Sequence, residues 1–179
     1  MGHDMPCPYL YDIFKLIPLS INMTTSTYAA AKATETKTTF SKTTSVGINI
    51  NATPQRIWGL LTNAADFPRW NSTVESIEGN IVQGEKIKLR AKIAPGRVFN
   101  LAIKEFVPSQ KLVWADGMAP MFSGVRTFTL TPNADGSTHF SMSETIKGLM
   151  MPMIAGSLPD FRQSYDQYAA DLKAEAEGR

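Results

Sequence analysis

The stretch VGININATPQRIW (46–58) decides the fold of this chain. Its first five residues alternate between apolar and small or polar side chains, which predicts a strand with one buried face. Thr53 is a good helix cap and Pro54 suits a first helical turn, so the spacing predicts that a helix begins here. The domain therefore opens with a strand that passes directly into a short helix carrying Trp58 on its apolar face.

Five later stretches between residues 86 and 147 alternate in the manner of antiparallel strands, each with one buried and one solvated face. Pro108 and Ser109 are predicted to form a two-residue hairpin turn, which places Ile103 opposite Trp114. On the first of these strands, four basic residues occupy the solvated face: Lys86, Lys88, Arg90 and Lys92.

The chain closes with an amphipathic helix. Ser157 is predicted to cap it, with Asp160 three residues later as in a capping box. We expect roughly 20 residues, or about 30 Å, which is long enough to cross the whole sheet. The order of elements predicts an α+β fold in which an antiparallel curved sheet wraps around the long C-terminal helix, with an apolar cavity between them. The apolar stripe of the helix consists of Leu158, Phe161, Tyr165, Tyr168, Leu172 and Ala176.

Composition separates a tail from the domain. With 43% hydrophobic and 19% charged residues, the chain has the composition of a soluble globular protein. Residues 23–44 are nearly all Thr, Ser, Ala and Lys and lack the apolar content needed to fold. We therefore predict a disordered or weakly structured N-terminal tail over 1–44 and a single domain over 45–179. Met23 leaves a later start of translation open.

The tail carries no segment typical of a membrane span. Its apolar run over 9–19 is interrupted by Asp12, Lys15 and Pro18 and is too short to cross a bilayer. The run also lacks the basic beginning of a signal peptide. We therefore expect a cytoplasmic protein without an integral membrane segment, while the Thr-rich, acid-poor tail leaves an organellar address open.

Charge and side-chain chemistry exclude several classes of function. A net charge of only +2 argues against nucleic acid as a partner, because such binding depends on neutralising phosphates. The single cysteine, Cys7, cannot form an intrachain disulfide. His3 and His139 lie far apart in sequence and no potential ligands cluster at metal-binding spacing, so we expect no metal. No glycine-rich phosphate loop is present, and we expect no cofactor. The oligomeric state stays open.

Arg126 and Glu144 form the candidate polar site. A turn through 133–136 pairs these residues on neighbouring strands, and the strict period of two directs both side chains inward. The pair is either a buried structural ion pair or a polar group that fixes the orientation of a ligand in an apolar cavity. Asp116 is predicted on the same face one strand away, and Tyr165 on the final helix is predicted to donate a hydrogen bond into the cavity.

The order of these motifs resembles the START-like superfamily and, within it, the polyketide cyclase/dehydrase-like proteins often grouped as SRPBCC. The resemblance covers about residues 45 to 176 and implies the helix-grip fold, with a hydrophobic cavity between sheet and helix. The matching motifs are Ala52-x-Pro54-x-x-Ile57-Trp58, Leu60-Leu61-Thr62, Phe67-Pro68-x-Trp70-Asn71, Glu78-Gly79, Gly84, Pro108-x-x-x-Leu112-Val113-Trp114, Phe128-x-Leu130-x-Pro132 and Glu144-x-x-x-Gly148.

The resemblance implies two classes of function, because family members bind lipids, hormones, quinones or aromatic polyketides and only some are enzymes. The first is a binding protein whose partner is a small hydrophobic or aromatic molecule, such as a lipid, a quinone or a polyketide-like compound. The alternative is a cofactor-free polyketide cyclase or dehydratase. In that case Glu144 or Asp116 accepts a proton and Arg126 stabilises an enolate.

The predicted ligand contacts combine inward-facing apolar side chains with the polar site and with methionines near the strand ends. The aromatic members have a second interpretation as ordinary core. The methionines act either as adaptable ligand contacts or as core fillers. The full set is Trp58, Phe67, Trp70, Leu89, Phe99, Leu101, Trp114, Met118, Phe122, Arg126, Phe128, Met142, Glu144, Met150, Met153, Phe161 and Tyr165.

Overall fold

The computed structural model describes residues 31–179 as one antiparallel sheet with a long C-terminal helix packed across it. The eight strands are β1 (Thr34–Lys37), β2 (Ser41–Ile50), β3 (Val74–Glu78), β4 (Lys86–Ala91), β5 (Val98–Val107), β6 (Lys111–Met118), β7 (Phe122–Pro132) and β8 (Thr138–Lys147). The helices are α1 (Pro54–Thr62), α2 (Phe67–Trp70), α3 (Met151–Ile154) and α4 (Arg162–Ala176). The predicted cap of α1 is confirmed, since the Thr53 side chain accepts a hydrogen bond from the Arg56 N–H.

The sheet has the strand order β1-β2-β8-β7-β6-β5-β4-β3, and every neighbouring pair is antiparallel. The predicted register between β7 and β8 is confirmed, with Arg126 opposite Glu144 and Phe128 opposite Met142. The long helix α4 packs across β2 and against α1. The α+β helix-grip architecture follows, with α4 held in the curve of the sheet.

The helix α4 begins later than the sequence pattern indicated. The predicted start at Ser157 is wrong, because Leu158 is extended (φ −74°, ψ 133°) and the helix begins at Arg162. Leu158 precedes Pro159, and the proline ring disfavours helical backbone in the residue before it. The Asp160 carboxylate instead accepts the Arg162 N–H at 3.0 Å. Because the segment 158–161 is not part of the helix, it lines the space between the sheet and α4.

The domain begins earlier than predicted, because residues 34–44 belong to the sheet. β2 starts at Ser41, and β1 pairs with it from Thr34 onward. Lys42 occupies an inward position of β2 and is buried, forming an ion pair with Glu35 at 2.8 Å. The composition of this segment concealed the strands, since Thr is common in strands even when few apolar residues accompany it. The part of the predicted tail over 1–30 lies outside the described residues.

The hairpin between β5 and β6 has a different turn from the predicted one but the same central pairing. Val107 pairs with Lys111, so three residues form the loop, and Ser109 adopts a positive φ of 60°. A register shift between Ile103 and Glu105 then restores Ile103 opposite Trp114, as predicted. A bulge of this kind adds one residue to one strand and increases its local twist.

The early domain boundary leads to a prediction about truncation. A protein that begins at residue 43 lacks β1 and Lys42, whose Nζ donates to the Pro159 carbonyl oxygen at 2.9 Å. Losing this charge-assisted hydrogen bond should lower the free energy of unfolding by at least about 2 kcal/mol relative to a protein that begins at residue 31. Urea denaturation of the two proteins tests this. Equal midpoints would show that β1 and Lys42 do not stabilise the domain.

Candidate functional site

A cavity of about 90 Å³ lies between the concave face of the sheet and the segment that precedes α4. Its walls come from strands β4 to β8, from the turn between β4 and β5, and from 158–161. Most of the lining is apolar, with charged groups at the rim and along one wall. The lining residues are Leu89, Ala91, Ile93, Ala94, Arg97, Phe99, Leu101, Trp114, Asp116, Phe122, Gly124, Arg126, Glu144, Ile146, Leu158, Pro159 and Phe161.

One oxygen of Glu144 is the acceptor at the centre of the polar site. Glu144 Oε2 accepts hydrogen bonds from Arg126 Nη2 at 2.7 Å and Nε at 3.2 Å, and a further one from the Tyr165 hydroxyl. The Arg126 guanidinium also lies 5.4 Å from the centre of the Tyr165 ring. The predicted inward ion pair is thus present, and Tyr165 donates to Glu144.

The environment of this pair keeps it ionised. Burial acts to raise the pKa of Glu144, but the positive charge of Arg126 and the hydrogen bonds from Tyr165 and Arg126 outweigh it, so this pKa lies below its ordinary value. Burial raises the pKa of Tyr165. The site therefore presents a carboxylate, a guanidinium and a neutral phenol at neutral pH.

Asp116 approaches the same site from the other side of β7. It lies opposite Gly124, and its Oδ1 accepts the Gly124 N–H at 3.1 Å. Burial, followed by the negative charge of Glu144, raises the pKa of Asp116 above its ordinary value. This contact is possible because Gly124 has no side chain, since a methyl group there would lie only 2.5 Å from Asp116 Oδ1.

Two carboxylate oxygens at this site accept no hydrogen bond from residues 31–179: Glu144 Oε1 and Asp116 Oδ2. The Asp116 carboxylate takes the place of a Gly124 side chain, and a methyl group there would also lie 3.9 Å from Glu144 Oε1, so both carboxylates converge on this position. Neither oxygen is among the fully buried side-chain atoms that lack a partner, so both are accessible to solvent. An otherwise apolar cavity thus contains two acceptors that are available to a bound molecule.

Most of the predicted site residues lie at this cavity. Nine line it directly: Leu89, Phe99, Leu101, Trp114, Asp116, Phe122, Arg126, Glu144 and Phe161. Met142 and Tyr165 line a smaller adjoining space of about 20 Å³ toward α4. The strand period predicted these positions because inward residues of neighbouring strands share one face.

Four predicted aromatic residues lie in the core and not at the cavity. Phe67 and Trp70 pack against each other and against Tyr168 of α4. Phe128 is fully buried with its ring centre 4.9 Å from that of Trp114. Trp58 packs on Phe106 at the same separation. Their packing matches the core interpretation of these side chains.

Three of the four predicted methionine contacts lie at the surface. Met118 and Met153 are 73% and 83% exposed, and Met150 is 37% exposed. Strand parity places Met118 on the inward face, but it lies beyond the edge of the core, after Gly117 with its positive φ of 89°. None of the three lines the cavity.

Sequence reasoning missed the turn and segment residues of the lining. Arg97 follows Pro95-Gly96 and extends its guanidinium over the Phe99 ring, 4.7 Å from its centre. Leu158 and Pro159 were assigned to the helix. Gly124 had the correct inward parity, but a glycine offers no side chain to suggest a contact. The sequence signal for Gly124 was a residue without a side chain between inward acidic residues on the two neighbouring strands.

The curved sheet, the long final helix and the enclosed cavity define a START-like helix-grip protein. A comparison with family models matches residues 30–177 to the family described as polyketide cyclase/dehydrase and lipid transport. The chain belongs to this family. A comparison with curated protein sequences gave no match.

Solved structures share the fold at low sequence identity. A START superfamily protein from Mycobacterium smegmatis is 16% identical, with a TM-score of 0.56 over 76% of this chain and 97% of its own. A conserved protein of unknown function from Enterococcus faecalis is 18% identical, with a TM-score of 0.58 over 82% and 77% of the two chains. A putative protein in the dynemicin biosynthetic locus is 15% identical, with a TM-score of 0.56 over 75% of this chain and 47% of its own.

In the part of the chain that the structure describes, no helix is both long enough and apolar enough to cross a membrane. Within the same residues, no three or more His, Cys, Asp and Glu side chains lie together in an arrangement that holds a metal ion.

Proposed function

We propose that this protein binds a small, largely apolar molecule in the cavity between sheet and helix, and that the Asp116, Arg126 and Glu144 side chains fix its orientation. The observation that supports this most directly is the Glu144 Oε1 acceptor, which has no partner among the described residues although the other oxygen receives three hydrogen bonds. An apolar pocket with a few convergent polar groups is the usual form of a small-molecule site.

The size of the cavity limits which molecules can enter it without movement of its walls. Its volume of about 90 Å³ is below the roughly 300–1,000 Å³ of sites for larger ligands. A long lipid chain or a multi-ring polyketide therefore requires the segment 158–161 or the turn 94–97 to move outward. Lys42 opposes such movement, since it donates to the Pro159 carbonyl and lies 5.1 Å from the centre of the Phe161 ring.

A second candidate function, cofactor-free cyclisation or dehydration, is favoured by the state of Asp116. Its carboxylate lines the cavity, and burial and Glu144 raise its pKa. A general base works best when its pKa lies near the operating pH. Arg126 stands close enough to the pair of carboxylates to stabilise a developing enolate. The family description names cyclases and dehydrases beside lipid transport and supports both functions equally.

A cavity-filling substitution tests the binding function. Leu101→Trp places a larger side chain in the wall of the cavity and should weaken binding of the methyl ether of β-naphthol at least tenfold in calorimetry. Val107→Trp is the matched control, because Val107 lies on the same strand, is exposed and does not line the cavity. Equal binding by both variants would contradict the proposal.

Two further experiments distinguish binding from catalysis. Native mass spectrometry of protein purified from its own host should detect a bound molecule, whose chemical class identifies candidate substrates. Asp116→Asn should abolish turnover of such a substrate if Asp116 is the base. Turnover unchanged in Asp116→Asn would exclude Asp116 as the base, and no turnover of the molecule by the original protein would leave the binding function.

A further inference from the structure

The two unpartnered carboxylate oxygens form a defined subsite around Gly124. Asp116 lies on β6 and Glu144 on β8, so the two acidic side chains approach β7 from opposite sides. A methyl group at Gly124 would lie 2.5 Å from Asp116 Oδ1 and 3.9 Å from Glu144 Oε1. Gly124 adopts no positive φ. Backbone conformation therefore does not require a glycine here. The glycine instead allows the Asp116 carboxylate to lie against β7, where a side chain would displace it.

The chemistry of this subsite favours a hydrogen-bond donor. Glu144 Oε1 and Asp116 Oδ2 are both acceptors, and an acceptor left without a partner when water is displaced costs free energy. A ketone or an ether has no hydrogen-bond donor for these oxygens. A carboxylate ligand adds a third negative charge beside two others, which is unfavourable in a site of low dielectric.

The charge and shape of the cavity indicate which class of hydrogen-bond donor fits it. The four charged residues of the lining, Arg97, Arg126, Asp116 and Glu144, carry equal numbers of positive and negative charges. The lining therefore carries no net charge that favours a cationic donor, and the adjacent Arg126 guanidinium repels one. The rings of Phe99, Trp114, Phe122 and Phe161 line the remaining space. A flat ring bearing an uncharged hydroxyl matches both features.

We propose that Gly124, with the carboxylates of Asp116 and Glu144 on either side, forms a donor-selective subsite that prefers an uncharged aromatic hydroxyl. In this subsite the ligand hydroxyl lies between the two carboxylates and donates to Glu144 Oε1. Gly124 affects specificity because any side chain at this position would displace the Asp116 carboxylate from the subsite. The inference rests on the proposed binding function and adds the chemical class of the ligand.

Matched probes test the preference. β-Naphthol and its methyl ether share the ring and the oxygen, and only the first carries a donor. Calorimetry at neutral pH should show β-naphthol binding about tenfold tighter or more, as expected for a hydrogen bond to a charged acceptor. β-Naphthoate should bind more weakly than β-naphthol. Tighter binding of the naphthoate would overturn the proposal and assign an anion site to Arg97 or Arg126.

Two variants locate the preference. Gly124→Ala should bring the affinity ratio of β-naphthol to its ether close to one. Asp116→Asn keeps an oxygen for the Gly124 N–H but removes one charge, and should lower the ratio several-fold without displacing the side chain at position 116. A ratio that stays at its original value in Asp116→Asn and in any folded Gly124→Ala protein would overturn the subsite.

The failure of this inference is distinct from the failure of the proposed function. Equal affinity of the original protein for β-naphthol and its ether, with both lost in Leu101→Trp, overturns the donor-selective subsite and leaves cavity binding intact. No binding of either probe to the original protein overturns the subsite together with the binding function on which it rests.

Discussion

Arg126→Met should lower the free energy of unfolding by about 3 kcal/mol, and Glu144→Gln should have a similar effect. Each change removes one member of a paired set of charges and leaves the other without compensation in a poorly solvated site. The side chains of Arg126 and Glu144 are only 18% and 20% exposed, so water replaces the lost partner incompletely. Chemical denaturation of each single variant measures the loss.

The hydrogen bond from Tyr165 determines which control variant this experiment needs. Its hydroxyl donates to Glu144, so replacing the ion pair by Met and Leu alone leaves that hydroxyl without its acceptor. The triple variant Arg126→Met, Glu144→Leu and Tyr165→Phe removes all three polar groups together and should recover much of the lost stability. No recovery in the triple variant would contradict the description of these residues as one coupled group.

The effect of Glu144→Gln should depend on pH. The pKa of Glu144 in the folded protein lies below its ordinary value of 4.5, so its pairing stabilises the protein above pH 4.5. That contribution is lost as the pH falls through the folded-state pKa, where the carboxyl group becomes neutral as glutamine is. The difference in stability between Glu144→Gln and the original protein should therefore shrink in acid. A constant difference would show that charge is not its source.

Leu172→Ala should destabilise the protein by about 3 kcal/mol, because it opens a cavity beneath a fully buried side chain of α4. Leu158→Ala is the control on the same predicted stripe. Leu158 is only partly buried and lies ahead of the helix, so this change should cost less than about 1.5 kcal/mol. Thermal and urea unfolding of both variants test the start of α4. Equal losses would indicate that the helix includes Leu158, as the sequence pattern alone predicted.

Strand positions were predictable wherever a strict period of two applied. The pairing of Arg126 with Glu144 followed from parity and one turn, since a slip of one residue would turn every apolar side chain outward. The same argument placed Asp116 and Trp114 on the cavity face. The early strands were missed because their inward positions include Lys42, and the pattern did not reveal that Glu35 compensates its charge.

Features that depend on a local choice between alternatives were not predictable from periodicity. Ser157 and Asp160 fit a capping box, but Pro159 between them favours extended backbone at Leu158. The hydrogen bonds of the site were not predictable for the same reason. Parity placed Asp116 on the same face as Arg126 and Glu144, whereas the hydrogen bond from the Gly124 N–H to its carboxylate depends on side-chain geometry that the spacing does not contain.

Methyl NMR tests the central claim most directly, because this chain carries reporters both inside and outside the cavity. Leu101 and Ile146 line the cavity, while Met118 at the end of β6 and Met153 in α3 are exposed. With bound β-naphthol, we expect nuclear Overhauser effects from the ligand ring to the Leu101 and Ile146 methyl groups and none to the two methionines. Effects confined to the Met118 and Met153 methyl groups would place the ligand on the surface and contradict binding in the cavity.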